Sequence, residues 1–339
     1  MARIALDAMG GDLAPEAPIA GALQALLELD HTHKLQLVGR TAVIESTLSR
    51  LLAGELSAAA AHRARIEIVE APDVVEMADK PTVVRKKPNS SMAVGLKLQV
   101  DGLSDGFVSA GNTGAQMAGS FFILGLHQGM TRPAIATLFP TSAQSVVVLD
   151  SGANVDCTST ELVQFARLGA VYAEAVLGRK NPSIGLLSIG EEAEKGNAVV
   201  KETHGLLAAS GLNFQGNVEG RDIPRGASDR GPIDVVVCDG FVGNVLVKFY
   251  EAVTPTLMKM LRGVVELDAA TAKRAFGSLD YSEHGGAPLL GVKGVSIIAH
   301  GRSDARAIKN AIRVAVQAAE SGMNATIGRR LAESEEVKA

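Results

Sequence analysis

Apolar positions along the chain follow two alternating periods. Short β-branched runs at 3–7, 34–38, 66–70, 106–109, 134–138, 145–149, 183–189, 233–238 and 295–299 predict strands. Several are apolar at every position, as strands covered on both faces should be. Between them, helical spacing predicts helices over 15–29, 42–52, 90–100, 114–124, 160–177, 198–209, 243–264 and 303–319. Strands alternating with helices imply βαβ units, and hence an α/β fold with a mainly parallel sheet between helical layers. The pattern fits one α/β domain over residues 1–330, with a helical projection over 250–285. A polar tail from Arg329, lying outside the domain at 331–339, is expected to fray.

Composition narrows the functional classes. Hydrophobic residues make up 47% of the 339 residues and charged residues 21%, enough for a sizeable core. With 33 basic and 37 acidic side chains the net charge is −4, which argues against a general nucleic-acid binder. Trp is absent and aromatics are 4%, so stacking platforms for single strands are unsupported. Cys157 and Cys238 are too few for a disulfide scaffold and fit a reducing cytosol. No apolar run is long enough to span a bilayer, and the opening residues read as a first strand rather than a signal peptide. The expectation is a cytoplasmic globular protein.

Glycine, at 36 residues, exceeds its usual share of ~7% and gathers after predicted strands. Six polar, Gly-bearing turns follow strands: 7–12, 109–114, 150–156, 190–197, 239–244 and 300–304. In open α/β sheets ligands bind beyond the C-terminal strand ends, so these turns, placed on one sheet edge, would form a composite pocket. The 109–114 turn leads from strand to helix. It is either a phosphate cradle built on helix N–H groups or a tight turn capped by Asn112 and Thr113.

Other chemistries lack their motifs. A Walker A loop, a G-x-G-x-x-G fingerprint and HExxH are all missing. The seven histidines have no metal-ligand spacing. His31 and His33 flank a turn and are expected in solvent, whereas His300 follows a strand and is the histidine that would face a site. Both cysteines read as buried structural residues. Asp7, Asp12, Asp150, Asp156 and Asp239 either hold Mg²⁺ or hydrogen-bond turn N–H groups. Lys80, Arg85, Lys86 and Lys87 form a basic loop or an anion contact. Apolar residues over 242–264 fall at helical spacing, with Pro255 expected to kink or split the helix. That stripe would serve a core, a dimer or a bilayer.

Taken together, the motifs IALDAMGGD (4–12), VSAGNTGA (108–115), RPAIA (132–136), DSGANVDC (150–157), SIGEE (188–192), KGN (195–197), GNVEGRD (216–222) and CDGFVGN (238–244) resemble the bacterial acyl-ACP:phosphate acyltransferase (PlsX) family across nearly the whole chain. The resemblance implies a fold like that of phosphate acetyltransferases, a Rossmann-like three-layer sandwich. It implies transfer of a long-chain acyl group from acyl carrier protein to inorganic phosphate, giving an acyl phosphate that a membrane acyltransferase consumes in phospholipid synthesis. It further implies a homodimer, no metal or organic cofactor, and peripheral membrane association.

On that basis the 109–114 turn (Ser109, Gly111, Thr113, Gly114) with Gly10 and Gly11 is expected to hold phosphate or acyl phosphate, with Asn197 and Asn244 as further binding residues. Asn112 and Asn154 would donate hydrogen bonds near the carbonyl. Arg132 or Lys195 would neutralise charge. Asp12, Asp156 or Asp239 would fix those donors, and His300 or Ser303 would steady the leaving thiolate. Leu257, Lys259, Met260, Leu261, Arg262, Lys273 and Arg274 form the expected dimer, membrane or carrier-protein contact. The competing readings are a short-chain phosphate acetyltransferase using coenzyme A, a dehydrogenase, and a non-catalytic membrane scaffold that recruits the carrier protein.

Overall fold

A computed structural model describes residues 1–141, 144–262 and 285–336. The chain forms two compact units, Met1–His127 with Ser282–Gly328, and Gln128–Tyr281 with Arg329–Ala339.

The first unit carries β1 (Arg3–Asp7), β2 (Lys34–Gly39), β3 (Ile66–Glu70), β4 (Gly106–Ser109), β13 (Ala287–Leu290) and β14 (Ser296–Ile298). Its strands run in the order β3-β2-β1-β4-β14-β13. The β3-β2-β1-β4-β14 pairings are parallel, and β13 is antiparallel to β14. Connecting helices are α1 (Glu16–Glu28), α2 (Thr41–Ala53), α3 (Ser91–Val100), α4 (Thr113–Gly119) and α8 (Ala305–Glu320). Chain order reverses between β1 and β4, so the turns leaving these two strands flank a topological switch point. Ile4, Leu6, Leu35, Leu37, Phe107 and Val108 are fully buried, which explains strands apolar on successive positions.

The second unit carries β5 (Ala134–Ile135), β6 (Thr137–Phe139), β7 (Val146–Leu149), β8 (Ile184–Leu187), β9 (Phe214–Val218) and β12 (Val235–Val237). A small hairpin joins β10 (Ala227–Ser228) to β11 (Gly231–Pro232). The unit's main sheet runs β6-β7-β12-β8-β9, parallel except for the β6 edge. Its helices are α5 (Ser159–Ala175), α6 (Ala198–Ala208) and α7 (Gly240–Arg262). A capping box between Thr158 and Glu161 starts α5. Phe139, Val146, Val148, Val218, Ile233 and Val236 form much of its core. One further helix, α9 (Met323–Glu336), closes the described chain.

The mainly parallel three-layer α/β architecture agrees with the sequence pattern, with four corrections. The six turns do not share one sheet edge: three follow β1, β4 and β14, and three follow β7, β8 and β12. The tail expected to fray from Arg329 is helical to Glu336, because Met323, Ile327 and Leu331 recur every fourth residue and are buried. Pro255 does not split α7 in two, since one helix runs from Gly240 to Arg262. His33 is 6% exposed, not solvated, and its Nδ1 accepts the Ala2 N–H at 3.0 Å. The expected projection lies largely outside the described residues, as do Lys273 and Arg274.

Candidate active site

The first cluster grows from the end of β1. Asp7 is buried, and its Oδ2 accepts a hydrogen bond from Ser109 Oγ at 2.8 Å while Oδ1 accepts the Met9 N–H at 3.1 Å. Ser109 Oγ in turn accepts the Gly111 N–H at 3.0 Å. One carboxylate therefore braces the turns after both β1 and β4. A side chain at position 10 would collide with this brace: a Cβ there would stand 2.6 Å from Asp7 Oδ2 and 2.9 Å from Gly111 N. Burial pushes the Asp7 pKa up, opposed by the Ser91 and Ser109 hydroxyls and the Met9 and Gly10 amides. The exposed Asp12 donates its N–H to Gly301 O at 2.8 Å, which ties the β1 turn to the turn after β14.

Asn112 is the N-cap of α4. Its Oδ1 accepts the Ala115 N–H at 3.0 Å. Its Nδ2 donates to the carbonyls of Glu76 (3.3 Å), Met77 (3.1 Å) and Asp79 (2.8 Å). Both amide hydrogens are thus spent on the 76–79 segment, and the side chain positions the turn rather than presenting a free donor. Lys87 anchors the same segment, bonding Asp79 Oδ2 and Val74 O at 2.8 Å each. Thr113 and Gly114 open α4, the latter against Pro81. Ser303 is buried and donates its N–H to His300 O at 2.8 Å. The exposed His300 accepts the Arg302 N–H on Nδ1 at 3.2 Å.

The second cluster repeats the device in the other unit. Asp150 is fully buried at the end of β7. Its Oδ1 accepts the N–H groups of Ile135, Gly152 and Ala153 at 3.0–3.3 Å. Its Oδ2 accepts Asn154 N at 2.6 Å and Asn154 Nδ2 at 2.9 Å. Burial pushes this carboxyl up as well, against the pull of those donors. Asn154 Nδ2 also donates to Pro133 O at 2.8 Å, so this amide too is engaged internally. The start of α7 presses on the loop. A Cβ on Gly240 would lie 2.5 Å from Asn154 O and 2.7 Å from Asp150 Oδ2. Asp239 caps α7 by accepting the Val242 N–H at 2.8 Å, and Asn244 lies against Gly152. Arg132 bonds Glu161 Oε1 at 3.2 Å and the Asp156 carbonyl at 3.3 Å.

After β8, Lys195 is exposed and its ammonium has no hydrogen-bond or ion-pair partner among the described residues. Asn217 Nδ2 holds the loop through Glu192 O at 2.7 Å. Asn197 caps α6 by accepting the Val200 N–H at 2.9 Å.

The choice left open for the acidic residues resolves for three of them: Asp7, Asp150 and Asp239 bond turn N–H groups. Among the described residues no three His, Cys, Asp or Glu side chains are grouped to hold a metal ion. Burial pushes the Cys157 thiol up to about 12 and raises Cys238 well above its ordinary value, so neither is a ready thiolate. On α7, Phe241, Val245, Phe249, Leu257 and Met260 are exposed, as is Lys259. The side chains of Leu261 and Arg262 lie outside the described residues. Sequence reasoning gave Asp7 and Asp150 a choice of metal or turn contacts but no part in acyl transfer, and it passed over Glu161. Their signal was an acid at a strand's C-terminal end before a glycine turn, or at the third position of a capping box.

The family model described as "Fatty acid synthesis protein" matches residues 2–326. A phosphate acyltransferase of Desulforamulus reducens is 48% identical over 333 residues, covering 95% of each chain. One of Heliobacterium modesticaldum is 48% identical over 336 residues, covering 96% of each. Among solved structures, a phosphotransacetylase from Streptococcus pyogenes matches with a TM-score of 0.63 at 17% identity, covering 94% of each chain. The EutD phosphotransacetylase from Staphylococcus aureus gives 0.59 at 16%, with the same coverage. These two likenesses establish the fold. The near-full-length sequence match establishes more: the chain belongs to the fatty acid synthesis protein family of phosphate acyltransferases, the PlsX family that its motifs resemble.

Proposed function

We propose that this acyltransferase moves a long-chain fatty acyl group from acyl carrier protein to inorganic phosphate, supplying acyl phosphate for phosphatidic acid synthesis. A phosphate oxygen attacks the thioester carbon and a C–O bond forms. The tetrahedral oxyanion collapses, the C–S bond breaks, and the departing thiolate takes up a proton. Such a reaction asks the protein to hold an anion, orient it and stabilise negative charge, not to supply a nucleophile. The observation that carries the reading is the glycine turns at strand ends that buried Asp7 and Asp150 hold in shape by taking up hydrogen bonds from them, together with Lys195, whose ammonium has no partner among the described residues. The two suppressed thiols fit direct attack by phosphate.

In this reading Gly10, Gly11, Ser109, Gly111, Thr113 and Gly114 receive phosphate or acyl phosphate. Asn112 and Asn154 act as positioning residues, with Asp12, Asp156 and Asp239 holding neighbouring turns. Lys195 is the better cation for anionic charge, because Arg132 is already held by Glu161. Asn197 and Asn244 complete substrate contacts, and His300 or Ser303 steadies the thiolate. The exposed stripe of α7 with Lys259 serves the homodimer, the carrier protein or peripheral attachment to the cytoplasmic membrane face. Among the described residues no helix is long and apolar enough to cross a membrane.

The test is incorporation of labelled phosphate into a hydroxylamine-sensitive lipid, using purified protein, palmitoyl-acyl carrier protein and phosphate without added metal. Labelled acyl phosphate supports the reading. Product from acetyl-coenzyme A but not from the carrier-protein thioester overturns the assigned donor and chain length.

A further inference from the structure

The first unit also contains an apolar pocket of ≈ 300 Å³ lined by none of the residues assigned above to acyl transfer. Its walls come from three segments. Val84 and Arg85 end the 3-10 turn Pro81–Arg85 and Pro88 follows it, Ala93 and Lys97 lie one turn apart on α3, and Phe122 and Ile123 belong to the π-helical turn Ser120–Leu124 that continues α4. A π turn places one more residue in the helical circuit and is a recurrent feature of binding sites. Here it leaves Phe122 48% exposed, edge-on to Phe121 at 5.1 Å.

The rim is cationic. The Arg85 guanidinium stands 4.6 Å from the Phe122 ring centroid, a cation–π contact that fixes both groups at the mouth. Lys97, on α3, is exposed and also lines the pocket. Among the described residues neither cation is paired with a carboxylate. Two unpaired cations flank a floor of aliphatic and aromatic carbon, at the small end of the ~300–1,000 Å³ range of ligand clefts. That combination selects an occupant with one apolar tail and one anionic head. A two-chain lipid is too bulky, and a free inorganic anion leaves the floor in water.

We propose that this pocket is a binding site for a monomeric, single-chain acyl anion, its tail on Val84, Ala93, Phe122 and Ile123 and its carboxylate or phosphate head between Arg85 and Lys97. Occupancy here stands apart from the acyl-transfer reading and is measured directly. The same 3-10 segment continues from the Asp79 loop held by Asn112 and Lys87, so a tail seated against Val84 and Arg85 also bears on the segment that positions the α4 turn.

The test is calorimetric titration of the full chain with dodecyl phosphate below its micellar concentration, with hydrogen exchange locating the site. Binding at or below about 1 mM is expected, with protection over 84–88, 93–97 and 120–124. Inorganic phosphate and dodecyltrimethylammonium should not reproduce it. The Arg85→Gln/Lys97→Gln variant changes exposed side chains only and should bind roughly fivefold more weakly. Ile123→Trp fills the floor and should remove binding while leaving unfolding cooperative. Protection confined to α7, equal binding of the cationic amphiphile, or unchanged affinity in the charge variant overturns the proposal. So does a charge variant that loses anionic vesicle binding yet keeps dodecyl phosphate, because the face would then contact a bilayer.

Discussion

Replacing Asn112 separates two jobs done by one side chain. Its oxygen caps α4 and its nitrogen gathers three carbonyls of the 76–79 segment. Losing an N-cap costs about 1 kcal/mol. Two amide protons shared among three acceptors contribute roughly 0.5–1.5 kcal/mol each. Asn112→Ala should therefore destabilise the chain by ~2–4 kcal/mol. Asn112→Asp is the sharper probe. Asp caps a helix as well as Asn does, so a purely capping role would leave stability intact. In the structure, however, a second carboxylate oxygen would replace the donor facing the Glu76, Met77 and Asp79 carbonyls. Asn112→Asp should therefore be at least as destabilising as Asn112→Ala. Urea unfolding of both variants measures the cost, and hydrogen exchange over 74–80 reports release of the segment. Wild-type stability in Asn112→Asp refutes the clamp. Turnover should fall sharply in both variants, and near-wild-type rates with a released segment refute the link between this turn and catalysis.

Three further outcomes follow from the same geometry. Gly240→Ala brings a methyl group within 2.5 Å of Asn154 O and should cost ~1–3 kcal/mol in thermal unfolding; an unchanged midpoint means that α7 shifts freely against the Asp150 loop. Burial holds the Asp7 carboxyl above its ordinary 3.8, so the folded chain binds that proton more tightly than the unfolded chain does. That stabilisation is fully present below 3.8 and is lost as pH climbs through the folded value, so the stability of wild type relative to Asp7→Asn should shrink with rising pH; urea midpoints showing it grow refute the sign. Iodoacetamide at neutral pH should leave Cys157 and Cys238 unmodified in the folded protein, and mass spectrometry showing rapid alkylation of either contradicts their suppressed ionisation.

Strand existence was largely legible because buried parallel strands write themselves as unbroken apolar runs. Residues 3–7 were read with the boundaries of β1. Partner choice was not legible, since a run such as 146–149 carries no mark of which sheet it joins. The β9 strand escaped notice because Phe214–Val218 places Gln, Gly and Asn in its middle, and Gly216 adopts φ +93 where the register with β8 slips. β13 was hidden by Pro288, because a proline within an apolar run argues against reading it as a strand. In the site, glycine and acid positions marked the strand-end turns that the structure shows held by buried carboxylates. What sequence spacing could not convey was direction: the amides of Asn112 and Asn154 turn inward on carbonyls, and Asp7 and Asp150 lie at the centre of their turns.

The wrapping of Asp150 by five N–H donors has a thermodynamic consequence for any ligand that meets its loop. A loop without such a centre must be ordered by its ligand, and the ordering entropy is subtracted from affinity. Here folding has already frozen residues 150–154 around an internal anion. Association at this loop can then proceed with little change in backbone dynamics, its enthalpy reporting contacts made rather than structure formed.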